Sequence, residues 1–387
     1  MKVAILVDEL PTSSAPKIVG EEAFHLTELG VKCDVYVLKH RISEIPPAHA
    51  QQISLTHLDE KLGALGKLCG LRIPTFSFFS LYHVGYPFLL SREANEKLDK
   101  YDAIVAHFGS TAIFASRLHL HNAKLVLYYW DPISYIFESA YIRSWSNIRC
   151  RILSYMAKLI DRRSLSKADL VILPSKFHYE RIKNLAPNKP IKIVYPGADI
   201  VNEIPNNRMD YILAVARWER GKNPFSLIDV TKLLTREFNE FKIYMIGPWR
   251  PATLLKEFLL RAEKRDVAKK FKMIGPKFGD ELKSLYLGAR CLVHTKVEAF
   301  GLQGLEAAAH GCPTVFPKGS GVTELFTHGV HGYFPEENNA EEYAEYLAKL
   351  MGDERLAWKM GYEAWKVARK YTWEKHAKDL LNVISSS

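Results

Sequence analysis

The chain reads as an α/β protein built from two doubly wound parallel sheets that face each other across a cleft. Three observations predict this. Short apolar segments alternate with amphipathic stretches of helical period along nearly the whole chain. At 387 residues the chain exceeds what one core usually organises. A polar stretch, 199–210, with Pro205, Asn206 and Asn207, separates two such series.

In the first series the strands are predicted at 3–7, 32–38, 103–107, 124–129, 170–173 and 191–195. In the second they are predicted at 211–216, 242–246, 271–274, 291–294 and 314–316. Strands separated by helices imply right-handed βαβ units with helices on both faces of each sheet. The predicted organisation is a first domain over 1–198, a linker over 199–210, a second domain over 211–372, and a closing helix over 373–387 that packs back toward the first domain. In such folds ligands sit beyond the carboxyl ends of the strands. No internal repeat or low-complexity tract interrupts the pattern.

Composition narrows the class. Hydrophobic residues make up 48% of the chain, as in folded globular proteins, and no run of about 18 uncharged apolar residues could cross a bilayer. The opening VAILVDE is too short and too quickly acidic for a signal peptide and reads as a buried strand. The five cysteines are odd in number, scattered and free of C-x-x-C spacing, which fits reduced thiols and argues against zinc. A cytoplasmic protein is expected, with peripheral contact to the inner face of the membrane as an option. The net charge of +10 points to an acidic partner: a nucleotide, a nucleic acid or an anionic membrane.

The most informative segment is EAFGLQGLEAAAHGCP, 298–313. Gly301 admits close backbone approach, and a helix is predicted from Leu302 to His310, ended by Gly311 and Pro313. Its first-turn amides and dipole favour an anion such as a diphosphate. Glu298 and Glu306 would then accept hydrogen bonds from hydroxyls on either side of it. Alone, this spacing fits an ordinary helix with solvated glutamates better. Its companions shift the balance. Arg217 leaves the strand YILAVA and Lys222 follows in ARWERGK, two cations suited to a departing diphosphate. Strands ending in Gly247 and in Gly275 would line a nucleotide base with backbone groups. A further loop begins at Gly319.

Together these stretches resemble the retaining, nucleotide-sugar-dependent glycosyltransferases of the GT-B fold, family 4 (group 1). The resemblance runs through VARWERGK, through FKMIGPKFGDELKSLYLGARCLVHTKVEAFGLQGLEAAAHGCPTV, through GSGVTELFTHGVHGYF and into WEKHAKDL, and so covers the second domain. It implies two Rossmann-like domains, acceptor on the first and donor on the second. It implies Glu306 on the ribose hydroxyls, Glu298 facing the donor sugar, and backbone amides of Phe300, Gly301 and Leu302 toward sugar and phosphate. Arg217 and Lys222 become the diphosphate pair. In the first domain KIVGEEAFHLTELGVKCDVYVL resembles the family's opening glycine loop, with Gly20 facing phosphate. Trp130 stands where relatives often carry a histidine that touches the donor sugar, and His107 or Asp131 is the candidate to compensate.

The implied reaction is transfer of a hexosyl or related sugar from a UDP- or GDP-linked donor to a glycan or lipid-linked glycan, with retention of configuration. Neither a cofactor nor a metal is expected, because no D-x-D element is placed to hold one. With no carboxylate evidently placed as nucleophile, same-face attack in which the leaving phosphate takes the acceptor proton is favoured. Two stretches hint at the acceptor or at a membrane. Residues 62–90 are unusually aromatic, and 141–167 interleave Arg143, Arg149, Arg151, Lys158, Arg162, Arg163 and Lys167 with apolar residues. A dinucleotide oxidoreductase would need G-x-G-x-x-G after the first strand, which VAILVDELPTSS lacks. No nucleic-acid-binding module appears, so nucleic acid is not an expected partner. A catalytically silent sugar-nucleotide-binding protein or a nucleotide-sugar epimerase on the same fold is the alternative.

Overall fold

The computed structural model describes residues 1–7, 14–38, 54–57, 72–73, 76–80, 95–140, 148–238 and 240–386. The expected aromatic stretch 62–90 therefore lies outside the described residues apart from short backbone segments, as do 141–147. The chain forms two compact units, Met1–Pro196 with Trp373–Ser387, and Gly197–Thr372.

The first unit contains β1 (Lys2–Val7), α1 (Ser14–Glu28), β2 (Lys32–Val37), β3 (Ser54–His57), β4 (Arg72–Ile73), β5 (Phe76–Ser80), β6 (Ala103–His107) and α2 (Phe108–Ala115). It continues with β7 (Lys124–Tyr128), α3 (Ile133–Ala140), α4 (Ile148–Lys167), β8 (Leu170–Leu173), α5 (Tyr179–Leu185) and β9 (Ile191–Ile193). Strands β4 and β5 form a small antiparallel pair. The other seven make one sheet in the order β3-β2-β1-β6-β7-β8-β9, every pair parallel.

Because strand side chains alternate, the buried runs of β1, β6, β7 and β8 feed two cores. Ala4, Leu6, Ile104, Leu127 and Val171 pack under Ala112, Leu165 and Ile182. Val3, Ile5, Val105, Val126 and Ile172 pack on the other face against Val19, Ala23 and Leu26 of α1. The closing helix, α12 (Trp373–Ser385), adds Ala377, Leu380 and Ile384 to this second core.

The second unit contains β10 (Met209–Val215), α6 (Ser226–Leu234), β11 (Lys242–Ile246), α7 (Ala252–Lys264), β12 (Phe271–Gly275), α8 (Gly279–Gly288), β13 (Ala289–Val293) and α9 (Leu302–Ala309). It ends with β14 (Thr314–Val315), β15 (Gly332–Tyr333), α10 (Ala340–Gly352) and α11 (Glu354–Ala368). Its six strands are parallel in the order β12-β11-β10-β13-β14-β15. Asn339 and Asp353 cap α10 and α11, their side chains accepting from the amides of Glu342 and Leu356. The stretch expected as a linker, 199–210, packs into this unit instead. The Val201 amide donates to Ala309 O at 3.3 Å, and the buried Arg208 guanidinium donates to the carbonyls of Tyr286, Leu287, Ala289 and His310. The polar composition of the stretch hid these anchors, because a buried arginine satisfied by carbonyls looks like any surface cation in sequence.

Both sheets share one logic. In each, the first strand lies between the second and the fourth, so the winding reverses beside it and a crevice opens at the strand ends. In the second unit that point lies between β10 and β13. In the first it lies between β1 and β6.

Candidate active site

Beyond β10 the chain makes a tight helical turn, Arg220–Lys222, that Asn223 closes in the left-handed region at φ 47°. Beyond β13 it runs through His294 to Glu298 and enters α9. These are the two strand ends that flank the reversal, and their side chains meet. Lys222 Nζ donates to both Glu298 carboxylate oxygens, at 2.7 and 2.6 Å. His294 Nε2 lies 2.9 Å from Glu298 Oε1. Burial alone would raise the Glu298 carboxyl, yet the Lys222 ammonium and His294 outweigh it and hold the group down at about 2. Glu298 is thus a carboxylate at any physiological pH.

The loop around it is tightly specified. The Glu298 amide donates to Ser320 Oγ at 3.2 Å, the Gly321 amide to Glu298 O, and the Val322 amide to Phe300 O. Gly301, at φ 94°, caps α9, and a Cβ there would sit 2.6 Å from Phe316 Cζ. Only glycine fits, by backbone angle and by space. Phe316 in turn stacks on His294 at 4.8 Å between ring centroids. Leu302 opens α9, where the Gly304 amide donates to Gly301 O at 2.9 Å and the amides of Leu302 and Gln303 precede the first carbonyl that the helix itself could offer them. Glu306, one turn further on, is buried and accepts from the Tyr286 hydroxyl at 3.1 Å.

Arg217 stands apart from the Lys222–Glu298 pair. It is 39% exposed and donates to Glu219 at 3.0 Å. At the next strand ends, Gly247 has φ 117°, and a Cβ there would meet Ala216 O at 1.9 Å. The Gly247 amide donates to Gly275 O at 2.9 Å, so this glycine locks two strand ends together. Sequence reasoning missed His294 and Ser320. The signal for His294 was its place at the end of the fourth strand of the unit, where the topology aims side chains into the crevice.

The first unit corrects one expectation. Gly20 is buried inside α1, the seventh residue of the helix, and not in a phosphate-facing loop. A helix-interior amide is committed to the carbonyl four residues back. One interior glycine costs only about 1 kcal/mol against alanine, so the apolar period of the segment prevailed.

His107 ends β6, is fully buried, and places Nε2 2.8 Å from Glu22 Oε2. The same carboxylate offers Oε1 to His376 Nε2 at 2.9 Å, and His376 Nδ1 bonds Tyr195 O at 2.7 Å. Burial would raise the Glu22 carboxyl, but His107 and His376 draw it down to about 2. His107 is thus part of a buried bridge from β6 through α1 to α12. Trp130 is half-buried and stacks on Tyr128 with centroids 5.5 Å apart. Asp131 is 42% exposed and accepts from His178 Nε2 at 2.9 Å.

Two family models match in succession along the chain, Glycosyltransferase Family 4 over residues 17–201 and Glycosyl transferases group 1 over residues 199–367. The chain belongs to this glycosyltransferase family. Its paired sheets are the two Rossmann-like units of the GT-B fold. It is 27% identical over 234 residues to D-inositol 3-phosphate glycosyltransferase of Corynebacterium efficiens, a match covering 57% of this chain and 54% of that protein. The chain thus spans about half the length of the curated relatives it matches. Among solved structures, sucrose-phosphate synthase from Thermosynechococcus elongatus superposes with a TM-score of 0.80 at 15% identity, covering 100% of this chain and 98% of that one. Anabaena HepE, in complex with UDP and glucose, gives 0.75 at 16% identity with both chains fully covered. At these identities the likeness shows the fold alone. For a family 4 glycosyltransferase, the crevice between β10 and β13 is the candidate donor site.

Proposed function

We propose that the chain transfers a hexosyl or related sugar from a UDP- or GDP-linked donor to a glycan or lipid-linked glycan, with retention and without a bound metal. The observation that carries this reading is the Lys222–Glu298 pair at the sheet reversal of the second unit, beside the N-terminus of α9. In it the donor diphosphate meets Lys222, Arg217 and the first-turn amides of α9, while Glu306 takes the ribose hydroxyls and Glu298 the sugar. As the bond from the anomeric carbon to phosphate lengthens, negative charge grows on the diphosphate, and fixed donors there stabilise the transition state more than the ground state. Glu298, held ionised by its neighbours, faces the developing positive charge on the sugar. The acceptor hydroxyl attacks the face the diphosphate leaves, and its proton passes to the leaving phosphate oxygen. The acceptor belongs to the first unit in this reading.

A thermal-shift panel of UDP, GDP, ADP and their sugars tests the donor half. A nucleotide at about a hundred times its Kd stabilises by about 2.7 kcal/mol, a rise of about 5–10 °C for a unit of this size. NMR of the sugar released by slow donor hydrolysis then reports configuration. No shift with any nucleotide, or a released sugar of inverted configuration, overturns the corresponding half of the proposal. An epimerised sugar still linked to nucleotide would favour the epimerase alternative.

A further inference from the structure

Helix α4 carries two apolar faces, and the fold uses one. On the inner face Ala157 packs with Ile113, Ile133 and Phe137, and Ser154, Ser164 and Leu165 are buried. The helix has a single acidic residue, Asp161, and this inner face consumes it. Its carboxylate accepts from the Tyr129 hydroxyl and from the amides of Ile133 and Ser134, at 3.0 and 2.9 Å, at the start of α3.

Half a turn away, Ile152, Tyr155, Met156 and Leu159 form a stripe at the i, i+3, i+4, i+7 spacing, 53%, 61%, 51% and 44% exposed. Single exposed apolar side chains are ordinary, but a contiguous stripe of large ones marks a surface that meets something other than water. The exposed charges around it have one sign. Arg151 precedes Tyr155 by four residues, Arg162 and Arg163 follow Leu159 by three and four, and Lys167 lies beyond them, all exposed.

We propose that this face of α4 docks the chain on an anionic phospholipid surface. The charge pattern selects that occupant. Apolar side chains enter the headgroup boundary while flanking arginines reach acidic phosphates, with their stems lying along the same boundary. A second copy, docked isologously, would set Arg151, Arg162 and Arg163 against their own counterparts with no exposed acid on the helix to pair with them. The stripe itself, from Ile152 to Leu159, is about 10 Å long at the helical rise. That suits a shallow contact, not insertion. No helix of the described residues is long and apolar enough to cross a membrane.

The test is co-flotation of the full chain with phosphatidylcholine vesicles, with and without phosphatidylglycerol, in the absence of donor, so that its outcome is separate from that of the donor reading. The chain should float with the phosphatidylglycerol vesicles at low salt and lose most of that binding as salt rises. I152S/L159S and R162E/R163E should each lower the bound fraction about tenfold while melting as the wild type does, since all four side chains are exposed. A Met156→Trp variant keeps the question answerable if either double variant fails to fold, because the added indole should be quenched by brominated acyl chains. Absence of flotation at low salt, undiminished binding by folded double variants, or no added quenching overturns the proposal. So does a wild-type dimer that I152S/L159S converts to monomer, which would give the face to a second copy.

Discussion

Replacing Lys222 by methionine keeps the apolar stem and removes the ammonium that both Glu298 oxygens accept from. The Glu298 carboxyl is held at about 2 against an ordinary value near 4.5. That difference is worth up to about 3 kcal/mol of stability at neutral pH. His294 remains as a partner and Glu298 keeps a little solvent, so Lys222→Met should cost the second unit about 1–2 kcal/mol, or about 2–8 °C in Tm. The sign with pH follows from the lowered value: the stabilisation is complete above about 4.5 and is lost as pH falls through about 2, so the gap between wild type and variant narrows in acid. Glu298→Gln removes the buried charge, and in that background Lys222→Met should cost little, leaving a coupling of about 1–2 kcal/mol in a double-mutant cycle by urea unfolding. Lys222→Met should also lower kcat about a hundredfold or more. Glu298→Gln should lower turnover yet bind the free nucleoside diphosphate several-fold more tightly, because it removes the negative charge beside Lys222. Coupling within about 0.3 kcal/mol of zero would refute the energetic assignment of the pair. Near-wild-type turnover by Lys222→Met would refute its role against developing charge.

Arg217→Ala should separate binding chemistry from stability: its exposed contact with Glu219 is worth less than about 1 kcal/mol, so Tm barely moves while kcat falls about a hundredfold in a donor-turnover assay. Gly301→Ala places a Cβ 2.6 Å from Phe316 in a left-handed backbone, and should destabilise the second unit by about 2–4 kcal/mol in urea unfolding. Phe316→Leu in the same chain should return part of that. His376→Ala strips the buried Glu22 carboxylate of one of its two imidazoles and removes the ring nitrogen that bonds Tyr195 O, for a loss of about 2–4 kcal/mol in the first unit. Glu22→Gln in that background should be milder than the sum, and limited proteolysis should show α12 released first.

The two sheets were legible because buried parallel strands leave apolar runs such as VAILV and DAIVA, and because ordinary helices separate them. Four strands of the described residues escaped: Ser54–His57 reads SLTH, Gly332–Tyr333 is a two-residue edge whose partner Thr314–Val315 is no longer, and Arg72–Ile73 and Phe76–Ser80 form a short antiparallel pair outside the alternating parallel pattern. Gly20 misled because a single glycine looks alike in a loop and in a helix, and only the apolar period around it decides.

The deeper gap concerns the meeting of Lys222 with Glu298, which lie 76 positions apart. Sequence alone assigned each a separate task, one on phosphate and one on sugar, because motif spacing carries no information about which strand ends become neighbours. The strand order supplies it. With β10 between β11 and β13, whatever leaves the first and fourth strands of the unit shares one crevice. The cation and the carboxylate are then each other's partner, and in the proposed reading a diphosphate and a sugar come between them. A site that satisfies its own charges in this way has lower affinity for free diphosphate than two unpaired cations would, and it gains from a ligand that meets both groups at once. That predicts discrimination in favour of the intact nucleotide sugar over the nucleotide alone, and the discrimination should collapse in Glu298→Gln, where only the diphosphate half of the match remains.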